Sequence, residues 1–391
     1  MTTRQFIEEH LHDDVRELAL KYRNAEVDMA LALRQIEARQ LLQKKVPSWS
    51  DNPDLLFPAH LSVEQCSSEA TAQHKASLLQ GTTFADLTGG LGVDCHFISK
   101  KFQIADYVEL NPELCSLAEH NFKVFDDKIH IHNTSAEEYL NSCKSVDCIF
   151  LDPARRDVYG RKTVSIADCT PNVLQILDLL LQKAHRVMVK LSPMLDISKA
   201  LEELHHVKEV HVVAVTNECK ELLFIMERSF DGKPAFTCVN LQTNQPFVTF
   251  TQEEERDSAV QLTNEVSQYL YEPNAALMKG GCYKLLTQRF GVQKLHRNSH
   301  LYTSPDLIPD FPGRIFTVEG WAPYNKKTKQ TLLASVEKAN IATRNFPLSV
   351  AELRKALKIA DGDDVYLFAT TMGDNLKVII SARKQALSSC R

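Results

Sequence analysis

Three carboxylates and three glycines in this chain are spaced as a nucleotide-type ligand would need them. Asp86 follows the apolar run Thr83-Phe84-Ala85; Gly89, Gly90 and Gly92 come next, then Glu109, and later Asp152 stands before Pro153. Glycines are required where backbone bends sharply and lies flat against a ligand, because a Cβ would clash there. The stretch Val93 to Lys100 reads as a helix, whose first N–H groups and positive dipole end would face the turn. The ligand then sits at the carboxyl edge of a first strand. Residues 104–110 read as a second strand ending in Glu109, 23 positions after Asp86. A carboxylate about 20 residues on is where a ribose diol is gripped. Each hydrogen bond to such a charged acceptor is worth roughly 1.5–3 kcal/mol.

A dinucleotide fingerprint would have a third glycine to pack helix on strand. Here Gly90-Leu91-Gly92-Val93-Asp94-Cys95 lacks it, and an acid lies four positions before Gly90. The run Asp86-x-x-Gly89-Gly90-x-Gly92 resembles the first motif of class I S-adenosylmethionine-dependent methyltransferases. The resemblance continues in order. Glu109 stands where that family has its ribose-binding acid, and Asn111-Pro112 opens the next helix. Residues 129–136 are similar to the third strand and adenine-contacting turn, with Ser135 where Asp or Asn is usual before Ala136. A fourth strand, Val146 to Leu151, ends in Asp152-Pro153-Ala154-Arg155-Arg156, similar to the methyl-transfer motif of nucleic-acid-directed members. The resemblance thus implies S-adenosyl-L-methionine as cofactor, bound by Asp86, Thr88, Gly89, Gly90, Gly92, Glu109, Leu110, Ser135 and Ala136. The element before the first strand often closes over the methionine tail in this family, which makes Gln65 and Ser67 candidates for it.

Asp152, the Pro153 carbonyl and Arg155 are the candidate catalytic groups. In the related Asp/Asn-Pro-Pro-aromatic enzymes the acid or amide and a backbone carbonyl hold an exocyclic amine while the ring stacks the base. No aromatic follows Pro153 here, and Arg155 could stack or bind phosphate instead. Enzymes that methylate uracil at C5 need a thiol after strand five; Leu191 stands there, in Lys190-Leu191-Ser192-Pro193, which argues against that chemistry. Lys190 or Ser192 could line the acceptor pocket, and the loop Tyr159 to Thr163 could close over substrate.

These groups require alternating strands and helices, hence an α/β, Rossmann-like, doubly wound sheet. Arg186 to Leu191 reads as strand five, and Val207 to Val215 with Lys220 to Met226 as a closing hairpin. Residues 1–75 read as a helical N-terminal region and 76–230 as the methyltransferase domain. Residues 235–330 read as a ferredoxin-like α+β domain with a helix around Glu253 to Leu270. Residues 331–391 form a last α+β unit. The whole chain resembles a bacterial family in which a class I methyltransferase core precedes a ferredoxin-like domain and a THUMP-like domain. THUMP-type domains are associated with RNA-modifying enzymes, so the resemblance implies RNA.

The chain of 391 residues is 44% hydrophobic and carries a net charge of −5. No apolar run reaches 18 residues, so no membrane partner is expected. Ten scattered cysteines without a C-x-x-C pair argue against zinc or any other metal and for reduced thiols in a cytoplasmic protein. Residues 271–391 hold 18 Lys+Arg against 10 Asp+Glu, a basic third suited to a polyanion. Its densest stretch runs Lys279, Lys284, Arg289, Lys294, His296, Arg297 and His300, with Tyr283, Phe290 and Tyr302 interleaved; cations would bind phosphates and rings would stack bases. The expected function is methylation of a base nitrogen in tRNA or rRNA. A small-molecule or protein acceptor, or a cofactor-holding RNA-binding protein without turnover, stays open.

Overall fold

The computed structural model describes residues 1–22, 26–58, 60–155 and 165–385. Its chain divides into two compact units, Met1–Val210 with Glu221–Pro234, and His211–Lys220 with Ala235–Arg391.

The first unit opens with helices Thr3–Glu9, Val15–Lys21, Met29–Lys45, Pro47–Ser50, His60–Gln65 and Glu69–Leu78. Thr2, Asp14, Asp28 and Ser68 cap four of them, each side chain accepting a free N–H of the first turn. The break between the third and fifth helices is held by Arg39, whose guanidinium donates to the carbonyls of Ser50, Asn52, Pro53 and Leu55. Gln35 fixes Phe57 by a reciprocal pair of hydrogen bonds at 2.9 and 3.0 Å. This pinning buries Trp49, Leu55 and Phe57 in one core with Leu91 and Val93. The glycine-rich turn is therefore braced by the N-terminal helices.

The strands that follow are β1 (Thr83–Asp86), β2 (Ile104–Glu109), β3 (Ile129–Asn133), β4 (Val146–Leu151), the short β5 (Ala154–Arg155) and β6 (Cys169–Thr170), β7 (Ala184–Leu191), β8 (Val207–Val215) and β9 (Glu218–Glu227). In the sheet they run β8-β9-β7-β4-β1-β2-β3. β1 pairs in parallel with both β2 and β4, and β4 with β7, while β9 is antiparallel to β7. Strand order reverses between β1 and β4, so their carboxyl ends open a crevice. Of the helices between them, Val93–Ser99 and Pro112–Val124 lie where the sequence places them, and Ala136–Ser142, Val173–Lys183 and Ile197–Glu203 complete the set.

The second unit contains the antiparallel pair β10 (Ala235–Leu241) and β11 (Val248–Thr251). It also holds a seven-stranded sheet of β12 (Tyr269–Pro273), β13 (Gln293–Lys294), β14 (Tyr302–Ser304), β15 (Gly313–Pro323), β16 (Asn340–Arg344), β17 (Val365–Met372) and β18 (Leu376–Lys384), in the order β13-β14-β12-β15-β18-β17-β16. The helix expected over Glu253 to Leu270 is only Gln252–Asp257. A Thr251–Glu254 capping box starts it, but the aromatic run from Tyr269 pairs with β14 and β15 instead. Sheet pairing of Tyr269 and the fully buried Tyr271 overrides the helix-forming glutamates there.

Candidate active site

The glycine turn is shaped by what surrounds it. A Cβ on Gly89 would lie 2.1 Å from the Tyr107 ring, and one on Gly92, whose φ is +89°, 2.9 Å from Phe122. Gly90 has φ +55°, and a Cβ there would meet only the Thr88 carbonyl, at 3.8 Å; that face of the turn is open. The Tyr107 hydroxyl donates to the Gly90 carbonyl at 2.6 Å, holding the turn against β2. Glu109 accepts the Gly90 N–H at 3.0 Å and the Asn111 N–H at 2.8 Å. Its carboxylate is thus fixed beside the turn with lone pairs to spare. Leu110 next to it is 58% exposed, an apolar surface at the same edge.

Asp86 accepts the Thr88 N–H at Oδ1, 3.0 Å. Its Oδ2 is buried and, among the described residues, has no hydrogen-bond partner. Burial, only partly offset by the Thr88 N–H, pushes this carboxyl well above the usual carboxylate range. Thr88 also ties the two motifs together: its Oγ1 accepts the Asp152 N–H at 2.6 Å. The Asp152-Pro153 motif therefore hangs directly on the glycine turn.

Beyond it lies a buried ionic cluster that connects the N-terminal helices to β7 and β9. Lys75, fully buried, donates to both Glu221 oxygens at 3.0 and 2.9 Å and to Ser67 Oγ at 2.9 Å. Its ammonium lies 3.1 Å from Asp94 Oδ1, and Ser67 donates to Asp94 Oδ2 at 2.6 Å. Burial raises the Glu221 carboxyl, against the pull of Lys75 and Lys190. The Lys190 ammonium donates to Asp152 Oδ2. Burial works to lower Lys190, but Asp152, then Glu221 and Asp94, more than reverse it and hold the ammonium above the ordinary lysine range.

Of the residues singled out in the sequence, Asp86, Thr88, Gly89, Gly90, Gly92 and Asp152 converge on one crevice edge, with Glu109 and Leu110 beside them. Ser67 joins the Lys75 cluster. Gln65 is exposed, and the Ser135 hydroxyl is occupied as a helix cap, accepting the Glu138 N–H in a capping box, with Ala136 buried behind it. Pro153 is buried. The Arg155 backbone pairs with Cys169; its side chain, Arg156 and the loop Tyr159 to Thr163 lie outside the described residues. Lys75, Asp94 and Glu221 escape sequence reading. The one local signal is charge where burial is expected, as in Glu221 against the apolar run Leu222 to Met226. A groove of about 490 Å³ beside Pro112–Val124 and β3, lined by Pro112, Cys115, Phe122 and Ile131, contains none of the converging acids.

In the second unit two members of the basic stretch face inward. Lys294 is 2% exposed and Tyr302 is fully buried, so neither can meet phosphate or base. The Lys294 ammonium donates to the Arg297 carbonyl at 2.7 Å, contacts His300 Nδ1 at 3.1 Å, and lies over the Tyr283 and Tyr302 rings. Arg289 and Arg297 are exposed. Among the described residues, no His/Cys/Asp/Glu group could hold a metal ion, and no helix is long and apolar enough to cross a membrane.

A glycine turn at the reversal of this strand order, with acids at the ends of β1 and β2 and just past β4, defines a class I methyltransferase fold. A family model described as a ferredoxin-like domain matches residues 269–312, and one described as THUMP domain-like matches 313–384. A crystal structure from Porphyromonas gingivalis W83, assigned provisionally as a methyltransferase, is 35% identical over 98% of both chains, with a TM-score of 0.86. The T. thermophilus 16S rRNA N2 methyltransferase RsmC, solved with AdoMet and guanosine, is 14% identical over 44% of this chain and 46% of its own, TM-score 0.35. M. capricolum TrmK, solved with S-adenosyl-homocysteine, is 14% identical over 41% of this chain and 68% of its own, TM-score 0.33. No curated protein sequence matches. The chain belongs to the family of the P. gingivalis protein, in which a class I methyltransferase fold carries ferredoxin-like and THUMP-like domains.

Proposed function

We propose that this protein is an S-adenosylmethionine-dependent methyltransferase whose acceptor is RNA. The residues present fit the cofactor. Asp86 Oδ2, buried without a partner among the described residues, sits among the charges of Asp94, Asp152 and Glu109, and a cationic ligand relieves that crowding. Bound there, S-adenosylmethionine supplies a methyl group on a positively charged sulfur. Gly89, Gly90 and Gly92 let the backbone approach it, Thr88 and Asp86 face its amino-acid end, and Glu109 takes the ribose diol. Leu110 and Ala136 flank the adenine. Ser67 acts through Asp94 and Lys75. Gln65 and the Ser135 hydroxyl have lesser parts, one exposed and the other spent on a cap.

The observation that carries the reading is the Thr88–Asp152 hydrogen bond, which sets the acceptor-side carboxylate at the cofactor turn. Much of the rate gain in methyl transfer comes from such positioning. RNA is supported by the THUMP-like match and by the exposed Arg289 and Arg297 of the second unit. The Asp152-Pro153 pair favours a base nitrogen as acceptor, whereas Lys190 beside Asp152 favours oxygen. The test is incubation of the protein with methyl-labelled S-adenosylmethionine and a cell extract lacking it, followed by separation of RNA, protein and small molecules. Label in RNA is expected; label confined to protein or small molecules would overturn the RNA assignment.

A further inference from the structure

We propose that the methyl acceptor is a hydroxyl oxygen, and that in RNA it is a ribose 2′-hydroxyl. This rests on the reading of the protein as an RNA methyltransferase. Two observations carry it, one electrostatic and one steric.

The electrostatic one is the cation on Asp152. Leu151 of β4 is paired with Val189 of β7, so Asp152 and Lys190 are the next residues along two neighbouring parallel strands. Their side chains form an ion pair. A neutral amine that attacks a methyl group gains positive charge at nitrogen. An uncompensated carboxylate or a neutral amide suits an amine, whereas an ammonium fixed beside it opposes the growing positive charge. A hydroxyl has the reverse requirement. Its oxygen takes on negative character as its proton is drawn away, and a fixed cation beside it is favourable. Lys190 is kept charged by Asp152, Glu221 and Asp94, so it serves as a cation and not as a base.

Lys75 repeats the arrangement one layer in. It is held by Glu221, Asp94 and Ser67, which leaves Glu221 tied to Lys75 and Asp152 tied to Lys190. Two lysines and three carboxylates, Asp94, Asp152 and Glu221, thus form one charged cluster that reaches from the helix Glu69–Leu78 to β7, β9 and the end of β4. The steric observation is the absence of an aromatic after Pro153: Ala154 follows, exposed and in β5. Position 154 itself supplies no ring to stack a base, and a sugar needs none.

The step balances without another reagent. The hydroxyl oxygen forms the new C–O bond as the S–CH₃ bond breaks, and that electron pair stays on sulfur, which becomes a neutral thioether. The hydroxyl proton passes to the Asp152 carboxylate and from there to water. Lys190 is a positioning residue: it orients Asp152 and supplies the charge. Within an RNA chain the ribose 2′-hydroxyl is the hydroxyl available.

The test uses the full-length protein, methyl-labelled S-adenosylmethionine and total RNA from cells lacking this protein, with alkaline digestion of the product. Alkali cleaves RNA only next to a free 2′-hydroxyl, so label in alkali-stable dinucleotides is expected. Label in mononucleotides would overturn the hydroxyl inference and leave the RNA reading standing. Label in no RNA species would overturn the RNA reading and the ribose assignment with it. In Lys190→Met, kcat should fall roughly 100-fold with KM for RNA within threefold, and Lys190→Arg should recover part of the loss. The cofactor-free melting temperature of both variants reports folding separately. An unchanged kcat in a folded Lys190→Met would contradict the role given to this lysine.

Discussion

Lys75 and Glu221 lie 146 residues apart and meet in a doubly hydrogen-bonded, fully desolvated ion pair. It fastens the last N-terminal helix to β9 behind the proposed methyl-transfer site. Removing one partner leaves the other charge buried and alone. Lys75→Met should therefore destabilise the protein by about 3–5 kcal/mol, and the double variant Lys75→Met/Glu221→Leu by less than the sum of the singles. Chemical denaturation of the three variants measures both; additivity would show that the pair is not coupled.

The Tyr107 ring occupies the place a side chain on Gly89 would take. Gly89→Ala should weaken S-adenosylhomocysteine binding by at least roughly 100-fold, since the turn must shift from the ligand position or from β2. Calorimetric titration checks this, with circular dichroism confirming the fold. Binding within threefold of wild type would remove the turn from the cofactor site.

Asp86 titrates above its unfolded value because burial favours the neutral acid. A carboxyl raised on folding stabilises the protein fully below its unfolded pKa, and that stabilisation is lost as pH rises through the folded value. Asp86→Asn should thus make the ligand-free protein more stable at neutral pH, while weakening S-adenosylmethionine binding by roughly tenfold, about 1.4 kcal/mol. Proton release on binding, read by calorimetry in buffers of different ionisation enthalpy, should vanish in the variant. Equal release in both proteins would contradict the assignment.

In the second unit, burial pushes Lys294 down to about 8. Burial, then Lys294 and Arg344, lower His300 to about 4. For both groups the unfolded chain binds more protons, so stability rises with pH, from about 4 to 6.5 for His300 and from about 8 to 10.5 for Lys294. Lys294→Met should flatten the upper window in a plot of melting temperature against pH. A slope that persists in the variant would place the titration elsewhere.

The glycine turn, Asp86, Glu109 and Asp152 were legible because each lies in a short stretch whose own chemistry announces it. The doubly wound α/β character of the first unit follows from the alternation of strands and helices, whereas its strand order comes from the pairing in the structure. The Lys75 cluster was not legible, because Ser67, Lys75, Asp94 and Glu221 meet only through the topology, and no spacing along the chain links them. Lys294 and Tyr302 were misread for a different reason. Cations interleaved with aromatic residues describe a nucleic-acid surface, but equally a core seam in which an ammonium is solvated by rings and carbonyls. The helix expected to reach Leu270 ended early because Tyr269 to Tyr271 gain more from pairing with β14 and β15 than from continuing a helix whose outer face is charged.

We propose that Asp152, held by Thr88 and Lys190, stands at the point of methyl transfer. This placement is tested most directly by single-turnover transfer to RNA at saturating S-adenosylmethionine, wild type against Asp152→Ala, with cofactor affinity measured in parallel. At least a roughly 100-fold slower transfer is expected in the variant, with cofactor affinity within threefold. Transfer at the wild-type rate by a folded, cofactor-binding Asp152→Ala would contradict it.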